Sequence, residues 1–118
     1  MIKKTNYIKG GYNCAETIIH AYNENHGTEI PVSLCSGMGG GATIGSLCGA
    51  INASLIIIGM TKGRSLPTDE NKAKEISNAL LKKIKEHYGS ELCIDLKKSG
   101  VSCSDIVEFT YSELEKLI

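Results

Sequence analysis

Between Ser36 and Met60 the chain carries a glycine run, Gly37-Met38-Gly39-Gly40-Gly41, and then no charged residue from Ala42 to Met60. That uncharged segment contains Leu47, Ile51, Leu55, Ile56, Ile57 and Ile58. A helix apolar on nearly every face must be surrounded by protein, so the remaining elements are expected to assemble around this one. Cys48 lies inside it, with Gly45, Gly49 and Ala53 spaced at i, i+4 and i+8. Those small side chains predict a flat helix face that another backbone approaches closely. The reading is a central helix from about Ile44 to Met60, with a reactive or ligating thiol near its start. Ile44, Leu47, Cys48, Ile51, Leu55 and Ile58 mark its apolar face.

At 118 residues the chain supports one domain with one core. Formal net charge is zero, with lysines interspersed among acids, so no nucleic-acid footprint is legible. The segment Met1-Ile2-Lys3-Lys4-Thr5-Asn6 runs into polar residues, which is not a secretory pattern. The long uncharged segment is interrupted by Asn52 and Ser54 and falls short of the roughly 20 apolar residues of a spanning helix. A cytoplasmic protein without membrane or nucleic-acid partners is the expectation.

Five cysteines exceed ordinary usage but stay below the roughly 8–10% of disulfide scaffolds. An odd count leaves one thiol unpaired in a monomer, and a reducing compartment disfavours structural bridges. Metal, cluster or redox use gains weight, against the plain alternative that free cysteines pack in cores.

Along the chain, residues 1–11 read as a lead-in, basic at Lys3, Lys4 and Lys9. A helix is predicted from about Asn13, a good cap, to about Asn25, with Gly27 as its stop. Ala15, Ile18, Ile19 and Tyr22 form its stripe, and Cys14 falls in its first turn, where the helix dipole favours thiolate. Val32 to Met38 reads as a short helix carrying Cys35. Pro67-Thr68-Asp69-Glu70 is a helix-start signal for a helix from about Thr68 to His87 that buries Ala73, Ile76, Leu80 and Ile84, with Gly89 as cap. Glu91 to Lys97 predicts a turn or two of helix containing Cys93. The last helix, about Ser104 to Ile118, turns Ile106, Val107, Thr110, Tyr111, Leu114, Leu117 and Ile118 inward, and Cys103 immediately precedes it. No alternating strand pattern competes, so the fold class is all-α, a small helical bundle around a central Gly/Ala-rich helix.

Cys14, Cys48 and Cys103 thus recur at helix starts. If those starts meet, partial positive charge converges on several thiols, a place that stabilises thiolates or a bound cation or cluster. Cys93 and Cys103 bracket a loop with Gly100, compatible with two sulfurs turned to one point or with a disulfide. Zinc-ribbon pairs, a thioredoxin-type C-x-x-C and a ferredoxin run are all missing. Gly39-x-Gly41-x-x-x-Gly45 opening a helix is compatible with a phosphate cradle, yet Val32-Ser33-Leu34 is a poor strand and no βαβ unit is present. A tight turn permitting close helix contact is the better reading of Gly37, Gly39, Gly40 and Gly41. His20, His26 and His87 read as surface or dipole partners, and Asp69, Glu70, Asp95 and Asp105 as capping or solvated residues, so general acid–base catalysis has no basis here.

The ordered set Asn13-Cys14-Ala15, Gly39-Gly40-Gly41, Cys48-Gly49-Ala50, Cys93 and Cys103 resembles the redox-active family named for its cysteine signature, C-GCAxxG-C-C. The likeness runs from about Gly11 to Ile118. It implies a redox or metal-centre role for Cys14, Cys48, Cys93 and Cys103. Similar domains are associated with bacterial and archaeal anaerobes, and one is joined to a haem-bearing electron-transfer protein with an iron–sulfur centre. Ala53 stands where the signature's last glycine is expected, and Cys35 is an additional thiol.

The leading expectation is therefore a single domain, residues 1–118, whose four signature cysteines bind an iron–sulfur cluster or another thiophilic metal such as zinc and pass electrons to a redox partner. Metal-free thiol–disulfide chemistry is a second reading, and a small-molecule or protein-binding module with structural cysteines a third. The flat Gly/Ala face suits a homodimer or an intramolecular contact equally.

Overall fold

The computed structural model describes residues 5–118, so Lys3 and Lys4 of the basic lead-in lie outside the described residues. Five α-helices, Cys14–His26 (α1), Gly49–Lys62 (α2), Ala73–Tyr88 (α3), Cys93–Lys98 (α4) and Cys103–Leu117 (α5), make an all-α bundle. Among the described residues there is no strand, only an isolated antiparallel bridge between Leu47 and Leu92. The central position of the uncharged helix holds, because α2 packs against α1, α3 and α5.

Each helix begins and ends for a local reason. Asn13 closes a capping box on α1, its Oδ1 accepting from the Glu16 amide at 2.8 Å while Glu16 Oε1 accepts from the Asn13 amide at 2.9 Å. The same pair reaches outward. Asn13 Nδ2 donates to the Ser36 carbonyl at 3.2 Å and the Ser36 hydroxyl donates to Glu16 Oε2 at 2.8 Å, which ties the start of α1 to the segment before the glycine run. Gly27 ends the helix in the left-handed conformation, and the Asn23 side chain holds Thr28 and Ile30 beneath it. On α5, Ser102 caps through the Asp105 amide at 3.1 Å. Ile106, Val107, Tyr111 and Leu114 are buried there as the periodicity predicts, against Ile18, Ile19, Ile51, Ile57, Ile58, Leu80 and Ile84.

Four boundaries differ from expectation. The segment Val32–Met38 is helical only over Val32–Cys35, as a 3-10 turn that buries Cys35 completely. The third long helix begins at Ala73 rather than Thr68, because Asp69 closes a turn instead of a cap: its carboxylate accepts from the Leu66 amide at 3.2 Å, and Arg64 donates to the Pro67 carbonyl at 2.9 Å. Ala73 and Ile76 are consequently only partly buried. Cys103 opens α5 instead of preceding it.

The largest correction concerns the central helix, which starts at Gly49, not Ile44. Gly40, Gly41, Ala42 and Thr43 all take positive φ, forming a left-handed turn closed by the Ser46 amide on the Gly41 carbonyl at 2.8 Å. Beyond it Leu47 pairs with Leu92 and Cys48 is extended, so residues 44–48 lie outside the helix, and Ile44 is 81% exposed. Gly45 therefore drops out of the small-residue stripe. Gly49 and Ala53 remain, both buried within the chain, and the close approach they permit is to α1: a Cβ on Gly49 would stand 2.7 Å from the Cys14 sulfur.

Candidate functional site

The four signature cysteines occupy equivalent places in four helices. Cys14 is the first residue of α1, Cys48 caps α2, Cys93 is the first residue of α4 and Cys103 the first of α5. All four line one cavity of about 140 Å³. Leu96, Val101 and Ile106 supply its apolar wall, and Tyr7, Asn13, Gly40 and Lys97 complete it. At Cys14 the amides of Ala15 and Ala50, at the starts of α1 and α2, bond the sulfur and favour its ionised form.

Backbone pairing explains how distant cysteines meet. The Cys48 amide donates to the Glu91 carbonyl at 3.0 Å and the Cys93 amide to the Ser46 carbonyl at 2.8 Å. This is a non-hydrogen-bonded antiparallel pairing of Leu47 with Leu92. Because side chains alternate across an extended strand, Leu47 and Leu92 turn one way and Cys48 and Cys93 the other; the leucines are partly or well exposed and the cysteines buried. Cys14 arrives through the contact of α1 with Gly49. Cys103 follows Cys93 after a tight return, in which Gly100 is left-handed and the Val101 amide donates to the Leu96 carbonyl at 3.0 Å.

Of the glycine run Gly40 lines the cavity, and Gly39 and Gly41 pack against cavity residues. Gly39 lies against Asn13, so that a Cβ there would overlap the side chain at 2.8 Å, and a Cβ on Gly41 would stand 2.7 Å from that of Cys93. Gly40 lines the cavity and its amide bonds the Cys14 sulfur. Gly37 meets nothing within 4 Å. Ala42 and Thr43 take left-handed φ values of 57° and 70°, each disfavoured by about 1–2 kcal/mol for a residue with a Cβ. Such strain persists only where surrounding structure over-determines it.

Electrostatically, Cys14 and Cys48 are one unit. The Cys48 thiol bonds the Cys14 sulfur, and this contact, assisted by the amides of Gly40, Ala15 and Ala50 and opposed by burial, lowers the Cys14 pKa to about 6. Cys48 moves the other way, because its proton is held against Cys14 and because it is buried. Burial raises Cys93, with Lys97 pulling against it. Burial and contact with Cys103, including a hydrogen bond, raise Tyr7. Cys35 stays outside the cavity, buried and raised by desolvation and by Glu16.

All five thiols are free. Among the described residues no group of three or more His, Cys, Asp or Glu side chains is arranged to hold a metal ion. The histidines are engaged elsewhere, His20 with Glu24 and His26 with Glu115 at 3.0 Å each, and His87 stacked on Phe109. Two cavity residues had no signal in the sequence: Tyr7, an aromatic in a short polar lead-in, and Lys97, one of many surface-patterned lysines.

Fold and site together define a small helical domain built to gather thiols at helix starts. A model of the family described as "Putative redox-active protein (C_GCAxxG_C_C)" matches residues 12–117, and the chain belongs to that family. No curated protein and no solved structure matches it. Among the described residues no helix is long and apolar enough to cross a membrane.

Proposed function

We propose that Cys14, Cys48, Cys93 and Cys103 are the thiolate ligands of a redox centre, an iron–sulfur cluster or another thiophilic metal assembly, through which this protein exchanges electrons with a partner. The observation that carries the reading is the convergence of four helix-start thiols on one cavity. The donor set is all sulfur, the choice of iron–sulfur clusters and of soft metals. Among the described residues no group of three or more His, Cys, Asp or Glu side chains is placed to hold a metal ion as it stands, so either kind of centre requires the thiols to close on it.

When bound, such a centre supplies one-electron chemistry. The chain's own residues supply the setting. Cys14, ionised near neutral pH, is ready to ligate. The amides of Gly40, Ala15 and Ala50 bond its sulfur, and hydrogen bonds to ligating sulfur are a known lever on potential. Leu96, Val101 and Ile106 give the site an apolar wall.

Anaerobic purification, a visible spectrum and iron, sulfide and zinc analysis test the proposal. The expected result is a coloured, iron-containing protein whose colour is lost in Cys14→Ser or Cys93→Ser and kept in Cys35→Ser. A colourless protein that does not reconstitute with iron overturns it; uptake of zinc alone, which carries no redox chemistry, would leave a thiolate metal site and defeat the electron-exchange reading.

A second reading is favoured by one contact, the hydrogen bond between Cys48 and Cys14. Oxidation of this pair, a Cys14 thiolate and a Cys48 thiol, passes two electrons and the one shared proton to an external disulfide or quinone, which takes its second proton from solvent, and forms a Cys14–Cys48 bond. Thiol counts before and after mild oxidation distinguish it, since the pair must lose two thiols together. Retention of all five rejects it.

A further inference from the structure

The stitch that holds Cys48 and Cys93 inward presents a bare apolar face outward. Leu47 and Leu92 point away from the cavity by the alternation described above, and Leu92 is 36% exposed. Ile94, the residue after Cys93, is 46% exposed, and Ile44 is 81% exposed. These last two are neighbours across Gly45, whose Cβ would stand 3.1 Å from that of Ile94. Isolated exposed apolar residues need no explanation, but apolar residues on two segments paired at Leu47–Leu92 and meeting again at Gly45 and Ile94 do. Here they cover the segments that carry two cavity cysteines.

Around this group the charge is uneven. Lys82 and Lys85 of α3 line a groove with Leu47 and Glu91. Lys98 follows Ile94 at i+4, on its side of α4. Against these three exposed lysines stand Glu91 and Asp95, and the Asp95 carboxylate is already engaged by the Ser90 hydroxyl at 2.7 Å. In a chain of zero formal net charge, this makes a local basic rim around an apolar centre. An apolar centre with a charged rim is the usual anatomy of a docking patch, and the rim's sign selects the partner.

We propose that the face formed by Ile44, Leu47, Leu92 and Ile94 is the docking site for an acidic electron-carrier protein. The proposal rests on the redox reading above, and it names the partner's chemistry: a carboxylate-rich rim facing the lysines and an apolar patch facing Ile44 and Ile94. Docking there separates the carrier from Cys93 and Cys48 by a single layer of side chains.

The test is binding, which does not depend on the state of the cysteine site. Isotope-labelled protein, purified anaerobically, is titrated with two acidic carriers, an oxidised plant-type [2Fe–2S] ferredoxin and a flavodoxin, and amide shifts are recorded. Shifts centred on Ile44, Leu92, Ile94 and Lys85 are expected with at least one carrier, with affinity falling at least about tenfold between about 50 and about 300 mM salt. Ile44→Asp combined with Ile94→Asp, both at exposed positions, should weaken binding at least about tenfold, as should Lys82→Glu combined with Lys85→Glu. Lys116→Glu, near the far end of α5, should leave it unchanged. No binding of either carrier, binding mapped to another face, or a stable homodimer that buries Ile44 and Ile94 overturns the proposal. A carrier that binds to a colourless protein leaves the docking site standing and defeats only the metal reading.

Discussion

The Cys48 thiol bonds the sulfur of Cys14 across the junction of α1 and α2, so the cap of one helix and the first residue of another hold one proton between them. Burial alone would raise both thiols. The hydrogen bond, with the amides of Gly40, Ala15 and Ala50, outweighs burial at Cys14; at Cys48 the same hydrogen bond holds the proton in place, and burial adds to it.

A pH dependence follows in the metal-free, reduced protein. Cys14 has a folded pKa of about 6 against an ordinary 9.0, so the folded state favours its ionised form. Its stabilising contribution is present above pH 9, shrinks as pH falls because the unfolded thiol takes up a proton first, and is gone below about 6. Cys48, raised, acts oppositely: above its ordinary pKa the unfolded thiol ionises while the folded one does not, and stability falls again. Denaturant unfolding across this range should show a rise from pH 6 toward 9. Cys14→Ser should flatten that rise. Ultraviolet thiolate absorbance should record one thiol ionising near pH 6, and Cys48→Ala should move it upward by removing the largest lowering contact.

The glycine run should split by position when each residue is changed to alanine. Gly37→Ala, with open space and an ordinary φ, should leave the melting temperature essentially unchanged. Gly40→Ala meets no neighbour but keeps a φ of +68° and should cost about 1–2 kcal/mol. Gly41→Ala should be the worst, since its Cβ would lie 2.5 Å from the Ser46 carbonyl oxygen and 2.7 Å from the Cys93 Cβ. Thermal melts of the three variants test the order.

Gly49→Ala should couple stability to thiol chemistry. Its methyl would lie 2.7 Å from the Cys14 sulfur and 2.8 Å from the Met38 carbonyl, an overpacking expected to cost about 1–3 kcal/mol. Forcing α1 from α2 should also lengthen the Cys14–Cys48 contact, so the thiolate titration should shift upward with the loss of stability. Unchanged titration in a destabilised variant would show that the contact does not set the Cys14 pKa.

Asn13→Ala removes the Oδ1 that accepts from the Glu16 amide and the Nδ2 bond to the Ser36 carbonyl, while the bond from the Asn13 backbone amide to Glu16 remains. A loss of about 1 kcal/mol is expected from the cap, measured by denaturant unfolding. Asn13→Asp keeps the accepting oxygen and should recover most of it while losing only the donated bond.

Thr110 offers the opposite sign. Its hydroxyl is the only buried side-chain polar atom among the described residues without a partner. Thr110→Val replaces that oxygen by a methyl of similar size and should be neutral or stabilising by up to about 1 kcal/mol. A clear destabilisation would point to a bond the hydroxyl makes in solution.

The helical core was readable from periodicity because burial on one face imposes a 3.6-residue pattern: Ile18, Ile19, Tyr111 and Leu114 were named from spacing alone and are buried. Helix caps were readable where a side chain bonds its own local backbone, as at Asn13. Residues 44–48 were misread as helix because their conformation answers to the distant Leu92 and Glu91, which no local pattern encodes. Pro67 to Glu70 failed for a nearer reason, competition between a turn and a cap for the same Asp69 carboxylate.

By itself the sequence determined the helical cores of α1, α2, α3 and α5 and that Cys14 and Cys103 stand at or beside helix starts, since propensity, capping and periodicity act over a few residues. Only the tertiary structure decided that those starts share one cavity, that Cys48 and Cys93 turn the same way out of a two-residue pairing, and that Cys14 is acidic while Cys48 is not. The reason is range. A thiol's proton affinity depends on what lies within a few ångströms of the sulfur, and here those neighbours come from α1, α2 and the glycine run.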